Sequence, residues 1–315
     1  MIKVTVDLFS GRPNPAWIIN DKRGDELLKK IAKNPRIMSK PDSGYDGLGF
    51  RGITIELLGD EKEGKMPSVF TIANGISKDQ QTSIQLAREI VDQMPAYEKF
   101  NMDVHKLTPI NKEMQKIIMG GIDSYEKDLE KIRKYIKIKP IQIRSSAIRV
   151  TVKDSDCKSC KYEESKFNPD FWNADPNVRI HNNCYNYGRN CKTNTFAQPG
   201  RFSGITLSLS QMTCADVKAA AMQDGLVERC NCLPQSEYPR RLMALVIAPG
   251  RDYHWYRKQK NGFWGHKPGG TNARNIDNSG VLVTDPRTCD RGAGMFLNYT
   301  DFCGFFYAGK SVIIS

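Results

Sequence analysis

Residues 242–270 read LMALVIAPGRDYHWYRKQKNGFWGHKPGG, and this stretch decides the fold of the second half of the chain. An apolar run ends at Pro249-Gly250, an alternating segment follows, and a second short segment comes after the turn Asn261-Gly262. Segments of this kind separated by turns predict an antiparallel β-meander. The meander carries His254 and His266, two of only four histidines in the chain, and is therefore the first place to look for chemistry.

The composition is that of a globular protein with room for two domains. The chain has 315 residues, of which 39% are hydrophobic and 26% charged. No run approaches the roughly 20 apolar residues of a membrane-spanning helix. The start, MIKVTVDLFS, alternates like a strand and lacks the apolar centre of a signal peptide. We therefore expect a protein that does not associate with a membrane. We also expect it to be either cytoplasmic or exported without a cleavable signal peptide.

The strong positive charge raises the question of a nucleic-acid partner. The formal net charge is +12 and the pI is near 9.2, and basic residues that face phosphates release counterions. The densest basic stretch, 131–137, is interleaved with Asp128 and Glu130, as on a solvated helix face. This pattern argues against nucleic acid as the partner.

Cysteine usage divides the chain into two parts. All nine cysteines lie from Cys157 onward. We predict an α+β protein of two domains: residues 1–140 form a small α+β domain that ends in a long helix over 111–137, residues 141–176 form a linker, and residues 177–315 form the C-terminal domain. The helix prediction rests on apolar residues at helical spacing.

The loop FSGRPNPAW, residues 9–17, has two interpretations. An arginine beside a glycine can present its guanidinium to a carboxylate or a phosphate. The alternative is a proline-stiffened turn that Trp17 anchors in the core. We favour the turn, because no acidic partner or metal-ligand cluster lies nearby in the sequence.

Four cysteines have spacings that suggest a metal site or a disulfide. Cys157 and Cys160 form a Cys-x-x-Cys pair, and Cys230 and Cys232 form a Cys-x-Cys pair. Four thiolates can hold zinc tetrahedrally, although the second pair is closer than the usual zinc knuckle. Disulfides or reduced thiols fit the same pattern at least as well.

Cys184 is the candidate nucleophile. It follows Asn182-Asn183, which can cap a helix, and a thiol at a helix start has its pKa lowered by unpaired backbone N–H groups. The alternative is a structural cysteine, either buried or disulfide-bonded to Cys191.

A cysteine, a histidine and a further polar residue follow each other in the order of a papain-like hydrolase. An imidazole can hold a thiol as thiolate, and a third group orients that imidazole. We assign Cys184 as nucleophile, His254 as base and His266 or Asp277 as the orienting residue. This order resembles the NlpC/P60 and CHAP peptidases, which implies a papain-like C-terminal domain built from a helix and an antiparallel sheet.

A second resemblance covers residues 182–315. The words that carry it are NCYNY (183–187), TFAQPG (195–200), ALVI (244–247), PGRDYHWYR (249–257), HKPGG (266–270), DNSG (277–280), DPRTCDRG (285–292) and FCG (302–304). In this order they resemble the insoluble matrix shell protein family, first described in bivalve shell and found in many bacterial relatives. The family resemblance implies a recurring module and names no catalytic residues.

Two functions of different classes follow. In the first, the C-terminal domain is a cysteine-dependent hydrolase or acyl transferase that acts on an amide or ester bond of a peptide or cell-wall-like substrate. Asn183 or Gln198 would then cover the oxyanion, and the side chains expected to wall the cleft are Trp255, Tyr256 and Trp264. In the second, the domain is a non-catalytic, disulfide-stabilised structural or binding module of an extracellular matrix. Neither function requires a cofactor or a metal.

Overall fold

The computed structural model describes residues 1–58, 66–100, 108–141 and 160–315. It divides into two compact units. The first comprises Met1–Phe9, Asn14–Ile138 and Gly294–Leu297, and the second comprises Ser10–Pro13, Lys139–Ala293 and Asn298–Ser315. Both combine helices with antiparallel sheet, so the predicted α+β class is confirmed.

The first unit contains a four-stranded antiparallel sheet. Its strands are β1 (Ile2–Asp7), β2 (Ala16–Ile19), β3 (Gly52–Leu57) and β4 (Val69–Ile72), in the order β2-β1-β3-β4. The even positions of β1, Ile2, Val4 and Val6, are buried, which is the alternation expected of a strand with one face on the core.

Four helices accompany this sheet: α1 (Lys22–Lys33), α2 (Gln80–Gln93), α3 (Lys112–Lys127) and α4 (Leu129–Ile136). The Asp21 side chain caps α1, and the Asn111 side chain caps α3 by accepting from the Met114 amide. The single long helix predicted over 111–137 is wrong, because α3 ends at Lys127 and α4 begins at Leu129, with the non-helical residue Asp128 between them. The apolar stripe continues across the break, which is why the sequence reads as one helix.

The second unit has a five-stranded antiparallel sheet with short helices. The helices are α5 (Asp170–Asn173), α6 (Pro176–His181), α7 (Cys184–Arg189) and α8 (Cys214–Gln223). The strands are β5 (Val227–Glu228), β6 (Arg241–Ala248), β7 (Asp252–Lys258), β8 (Trp264–His266) and β9 (Asp301–Ala308), in the order β5-β9-β6-β7-β8. Strands β6, β7 and β8 pair in succession, as predicted for the meander.

Strand β7 has different surroundings on its two faces. Tyr253 and Trp255 join an apolar core that includes Cys184 of α7, whereas His254 and Tyr256 point to the opposite face because side chains alternate along a strand. Helix α7 packs closely on the face of the sheet that carries Tyr253 and Trp255. Gly188 permits this close approach, because an added Cβ there would come within 2.3 Å of Met243. This packing brings the beginning of α7 to the beginning of β7.

Disulfides, and not zinc, account for the three described cysteines of the two short motifs, Cys160, Cys230 and Cys232. Cys160 is bonded to Cys232, and Cys230 is also disulfide-bonded. Cys157 lies outside the described residues. A further disulfide joins Cys214 of α8 to Cys303 of β9. The zinc interpretation is therefore wrong for Cys160, Cys230 and Cys232, since bonded sulfurs cannot act as thiolate ligands.

The predicted linker, 141–176, is structured in its described second half. Helix α5 lies within it, and Glu163 forms an ion pair with Arg240 at 2.7 Å. Within the four described ranges of the chain, no helix is both long and apolar enough to cross a membrane.

Candidate functional site

The two histidines of the meander form a hydrogen-bonded pair. His254 lies on β7 and His266 ends β8, and Nε2 of His254 is 2.9 Å from Nδ1 of His266. Both side chains are buried. The Tyr256 ring stacks on His266 at a centroid distance of 5.0 Å and packs edge-on against His254. The structure thus brings together the predicted base and its predicted orienting residue.

The surroundings of His266 determine where the protons of the pair lie. Burial lowers the pKa of His266 to about 4, so the imidazole is neutral near pH 7. Its Nε2 is 2.8 Å from the Ile276 carbonyl oxygen, which can only accept. The proton of His266 is therefore on Nε2, and its Nδ1 accepts from Nε2 of His254. A neutral His254 then has its lone pair at Nδ1.

Nδ1 of His254 faces a hydroxyl from the loop 9–17. The Ser10 Oγ lies 2.9 Å from this nitrogen and 3.0 Å from the Tyr253 carbonyl oxygen. The Cys184 Sγ lies 4.0 Å from the same carbonyl oxygen, and the Ser10 side chain acts to lower the pKa of the Cys184 thiol. Ser10 is therefore a neighbour of both the cysteine and His254.

Cys184 is the first residue of α7, as predicted, but its thiol is not activated in this structure. The side chain is fully buried, and its Sγ is 4.0 Å from the Tyr253 carbonyl oxygen. Burial, together with the charge of Asp252, raises the pKa of the thiol. The lowered pKa expected from the helix start is wrong here, because desolvation outweighs the effect of the helix. Of the two forms of a structural cysteine considered as the alternative, the structure shows the buried one, since Cys184 and Cys191 are both free thiols.

Asn183, the residue before Cys184, forms hydrogen bonds with both the oxygen and the nitrogen of its side chain. Its Oδ1 accepts from the amides of Tyr185 and Asn186, which caps α7. Because the oxygen is used in this way, the Nδ2 group must point in the other direction, where it donates to the Gly11 carbonyl oxygen at 2.8 Å. The cap therefore fixes the orientation of a side-chain donor.

Two further side chains donate to the Gly11 carbonyl oxygen. Nε2 of Gln198 lies 2.8 Å from it, and the Tyr253 hydroxyl lies 3.0 Å from it. The Tyr253 hydroxyl is also 3.1 Å from Oε1 of Gln198. Together with Asn183, three donors from separate elements converge on one backbone oxygen. Asn183 and Gln198 are the residues that the sequence predicted as oxyanion donors.

A buried carboxylate holds the backbone on both sides of this carbonyl group. Asp252 accepts from the Ser10 amide at 2.6 Å, the Gly11 amide at 3.2 Å and the Arg12 amide at 3.0 Å. It also accepts from the Tyr299 hydroxyl at 2.6 Å. Burial raises the pKa of Asp252, and these donors oppose that effect. The sequence near the loop 9–17 offered no acidic partner for it. Asp252 is such a partner for the loop amides, although it lies about 240 residues away in sequence.

Asp277 has a different role from the one considered for it. Its Oδ1 accepts from the amides of Ser279 and Val281, and its Oδ2 accepts from the amide of Asp290. These bonds shape a loop, and His266 occupies the position next to His254.

The three aromatic residues expected to wall a cleft are all fully buried. Trp255 packs against Tyr185 at a centroid distance of 5.5 Å, within the core. Tyr256 covers the histidine pair, and Trp264 stacks on Phe305. All three side chains pack in the protein interior and do not line an open groove.

The sequence analysis missed Ser10, Gly11, Asp252 and Tyr299. A signal for Asp252 was present, since a carboxylate at the start of a buried strand needs donors. In the described ranges, no group of three or more His, Cys, Asp or Glu side chains is arranged to hold a metal ion.

Comparison with known proteins gives one clear relationship. The chain is 45% identical over 145 residues to insoluble matrix shell protein 1 of Ruditapes philippinarum, and the alignment covers 46% of this chain and 90% of that relative. This chain belongs to the insoluble matrix shell protein 1 family. The resemblance to this family that was predicted from short motifs such as PGRDYHWYR is therefore confirmed. No family model and no solved structure matches the chain, and the similarity to NlpC/P60 and CHAP peptidases stays a prediction.

Proposed function

We propose that the second unit is a cysteine-dependent hydrolase or acyl transferase with a papain-like arrangement of its site. The observation that carries the proposal is the convergence of Asn183, Gln198 and Tyr253 on the Gly11 carbonyl oxygen, because Asn183 directly precedes Cys184 in the chain. Preorganised donors of this kind stabilise the negative charge that develops on a carbonyl oxygen during acyl transfer.

The histidine pair would supply the proton transfer. Nδ1 of His254 points towards the cysteine side of the site through Ser10, and His266 accepts at the other nitrogen. When substrate replaces the Ser10 hydroxyl, Nδ1 takes the thiol proton and the Cys184 sulfur attacks the carbonyl carbon. The C–N or C–O bond then breaks, and His254 returns the proton to the leaving group. Water hydrolyses the thioester in a second step, with His254 again as the base.

An activated acyl donor tests this proposal without knowledge of the natural substrate. N-acetylglycine p-nitrophenyl ester should acylate Cys184, giving a burst of p-nitrophenolate and an acyl adduct on the peptide that contains Cys184. Cys184→Ala should abolish both signals, and His254→Ala should slow the burst about 10²-fold or more. Cys191→Ala is the matched control at a half-exposed free thiol and should leave the burst intact. An adduct that forms only on Cys191 would contradict the proposal.

A second candidate is a non-catalytic module of an extracellular matrix. The name of the relative and the disulfides favour it, because disulfides persist in oxidising compartments. The burst experiment separates the candidates, since a structural module gives no adduct on Cys184. The disulfides also lead us to place the mature protein outside the cytosol, and a peptide or cell-wall-like polymer remains the proposed substrate class.

A further inference from the structure

We propose that Ser10-Gly11-Arg12 occupies the site as a substrate mimic, and that the enzyme therefore cleaves amide bonds whose carbonyl group belongs to glycine. This inference rests on the proposed function. It assigns the acyl side of the substrate, which neither the sequence nor the family relationship supplies.

The backbone of this segment is bound as a substrate backbone would be. The amides of Ser10, Gly11 and Arg12 donate to Asp252. The Ser10 carbonyl oxygen accepts from the Gly269 amide at 2.9 Å, and the Gly11 carbonyl oxygen receives the three converging donors. Recognition through consecutive main-chain groups is independent of side chains, so a peptide from another source can form the same bonds.

The position next to this carbonyl group has room for glycine alone. A Cβ added to Gly11 would lie 2.4 Å from Cε2 of Tyr253 and 2.6 Å from two other ring atoms. That ring is fully buried and closely packed, so it cannot move aside without a large cost in free energy. The ring that supplies a donor to the carbonyl oxygen therefore also excludes larger residues from the acyl position.

The same contacts explain why the segment is not itself cleaved. The Ser10 Oγ lies 2.9 Å from Nδ1 of His254, so the base nitrogen faces a serine hydroxyl and not the thiol. The Cys184 thiol is fully buried, and this burial raises its pKa, so it keeps its proton. A substrate without a hydroxyl at the Ser10 position would leave the thiol and the imidazole free to meet.

The test uses the full chain and two readouts. The first is alkylation of Cys184 by iodoacetamide in the wild type, Gly11→Ala and Gly11→Val, with folding checked by circular dichroism. Overpacking against Tyr253 should displace the segment and raise the alkylation rate roughly tenfold or more. Gly24→Ala is the matched control, because its Cβ would only make a 3.3 Å contact with Ile19, and it should keep the wild-type rate.

The second readout is hydrolysis of peptides in which the residue before the scissile bond is Gly, Ala or Val. We expect the wild type and Gly11→Ala to cleave the Gly peptide roughly ten to a hundred times faster than the Ala peptide. Gly11→Ala should also be faster than the wild type on the Gly peptide.

Each negative result has a distinct meaning. Equal cleavage of Gly and Ala peptides would overturn the glycine assignment and leave the hydrolase in place. A second outcome is that Cys184 becomes reactive in Gly11→Ala but no peptide is cleaved. This result would overturn the proposed function, and the substrate inference with it. Unchanged protection of Cys184 in folded Gly11→Ala and Gly11→Val would overturn the occupancy of the site by the segment.

Discussion

Replacing His266 by glutamine should remove a pH dependence from the stability of the protein. Burial lowers the pKa of His266 to about 4, whereas an unfolded histidine titrates near 6.5. The folded chain thus binds fewer protons than the unfolded chain between these two pH values. The stability that neutral His266 contributes is complete above pH 6.5 and is lost as the pH falls towards 4.

The size of the effect follows from these two pKa values. One pKa unit corresponds to 1.36 kcal/mol, so a shift from 6.5 to about 4 amounts to about 3 kcal/mol of unfolding free energy. His266 is buried, so solvent screening does not reduce this figure. Glutamine does not titrate, and its Oε1 can still accept from Nε2 of His254. His266→Gln should therefore be less stable than the wild type at pH 7.5 and lose less stability on acidification.

Urea unfolding at pH 7.5, 6.5, 5.5 and 4.5, followed by circular dichroism, measures this difference. The raised pKa of Asp252 acts in the opposite direction, but it is common to both chains and largely cancels from the comparison. His181→Gln, at an exposed histidine, is the control and should keep the wild-type pH profile. Parallel profiles for the wild type and His266→Gln would refute a neutral, buried His266 and with it the assigned tautomer of His254.

Three other substitutions test separate parts of the structure. Cys214→Ser with Cys303→Ser opens a bridge across 89 residues and should cost about 2–5 kcal/mol in urea unfolding; no loss would mean that the bridge is not formed. Asn183→Asp keeps the helix-cap oxygen but sets a second acceptor oxygen against the buried Gly11 and Ala197 carbonyl oxygens, so it should lose more stability than Asn183→Ala, which should lose about 1 kcal/mol or more; equal losses would contradict the use of both side-chain atoms. Arg51 donates to four backbone carbonyl groups in the first unit, so Arg51→Met should lower the thermal midpoint, with a loss of about 3 kcal/mol or more.

Local patterns were sufficient to predict the elements around the site. Apolar runs and turn residues predicted strands β6, β7 and β8, and Asn183 indicated the start of α7 at Cys184. The hydrogen bond between His254 and His266 follows from the same reasoning, because neighbouring strands of a hairpin bring their side chains together.

Contacts over a long sequence separation were not predictable in the same way. Ser10 and Asp252 are 242 residues apart, and no periodicity links a loop near the start of the chain to a strand near its end. The prediction of a lowered pKa for Cys184 was wrong for a related reason, since the residues that bury the thiol come from several distant segments. The break at Asp128 was missed because a helical stripe of apolar residues does not reveal a single residue whose backbone leaves the helical conformation.

The most direct test of the central claim is the reactivity of Cys184 once the segment 10–12 has been displaced. The alkylation rate of Cys184 at pH 6 should be compared between Gly11→Ala and Gly11→Ala with His254→Ala, by mass spectrometry of the peptide that contains the thiol. A thiol paired with an imidazole is ionised at this pH and an unpaired thiol is not, so loss of His254 should slow the reaction on the order of a hundredfold. Equal rates in the two chains would show that His254 does not activate Cys184, and would leave the site a structural one.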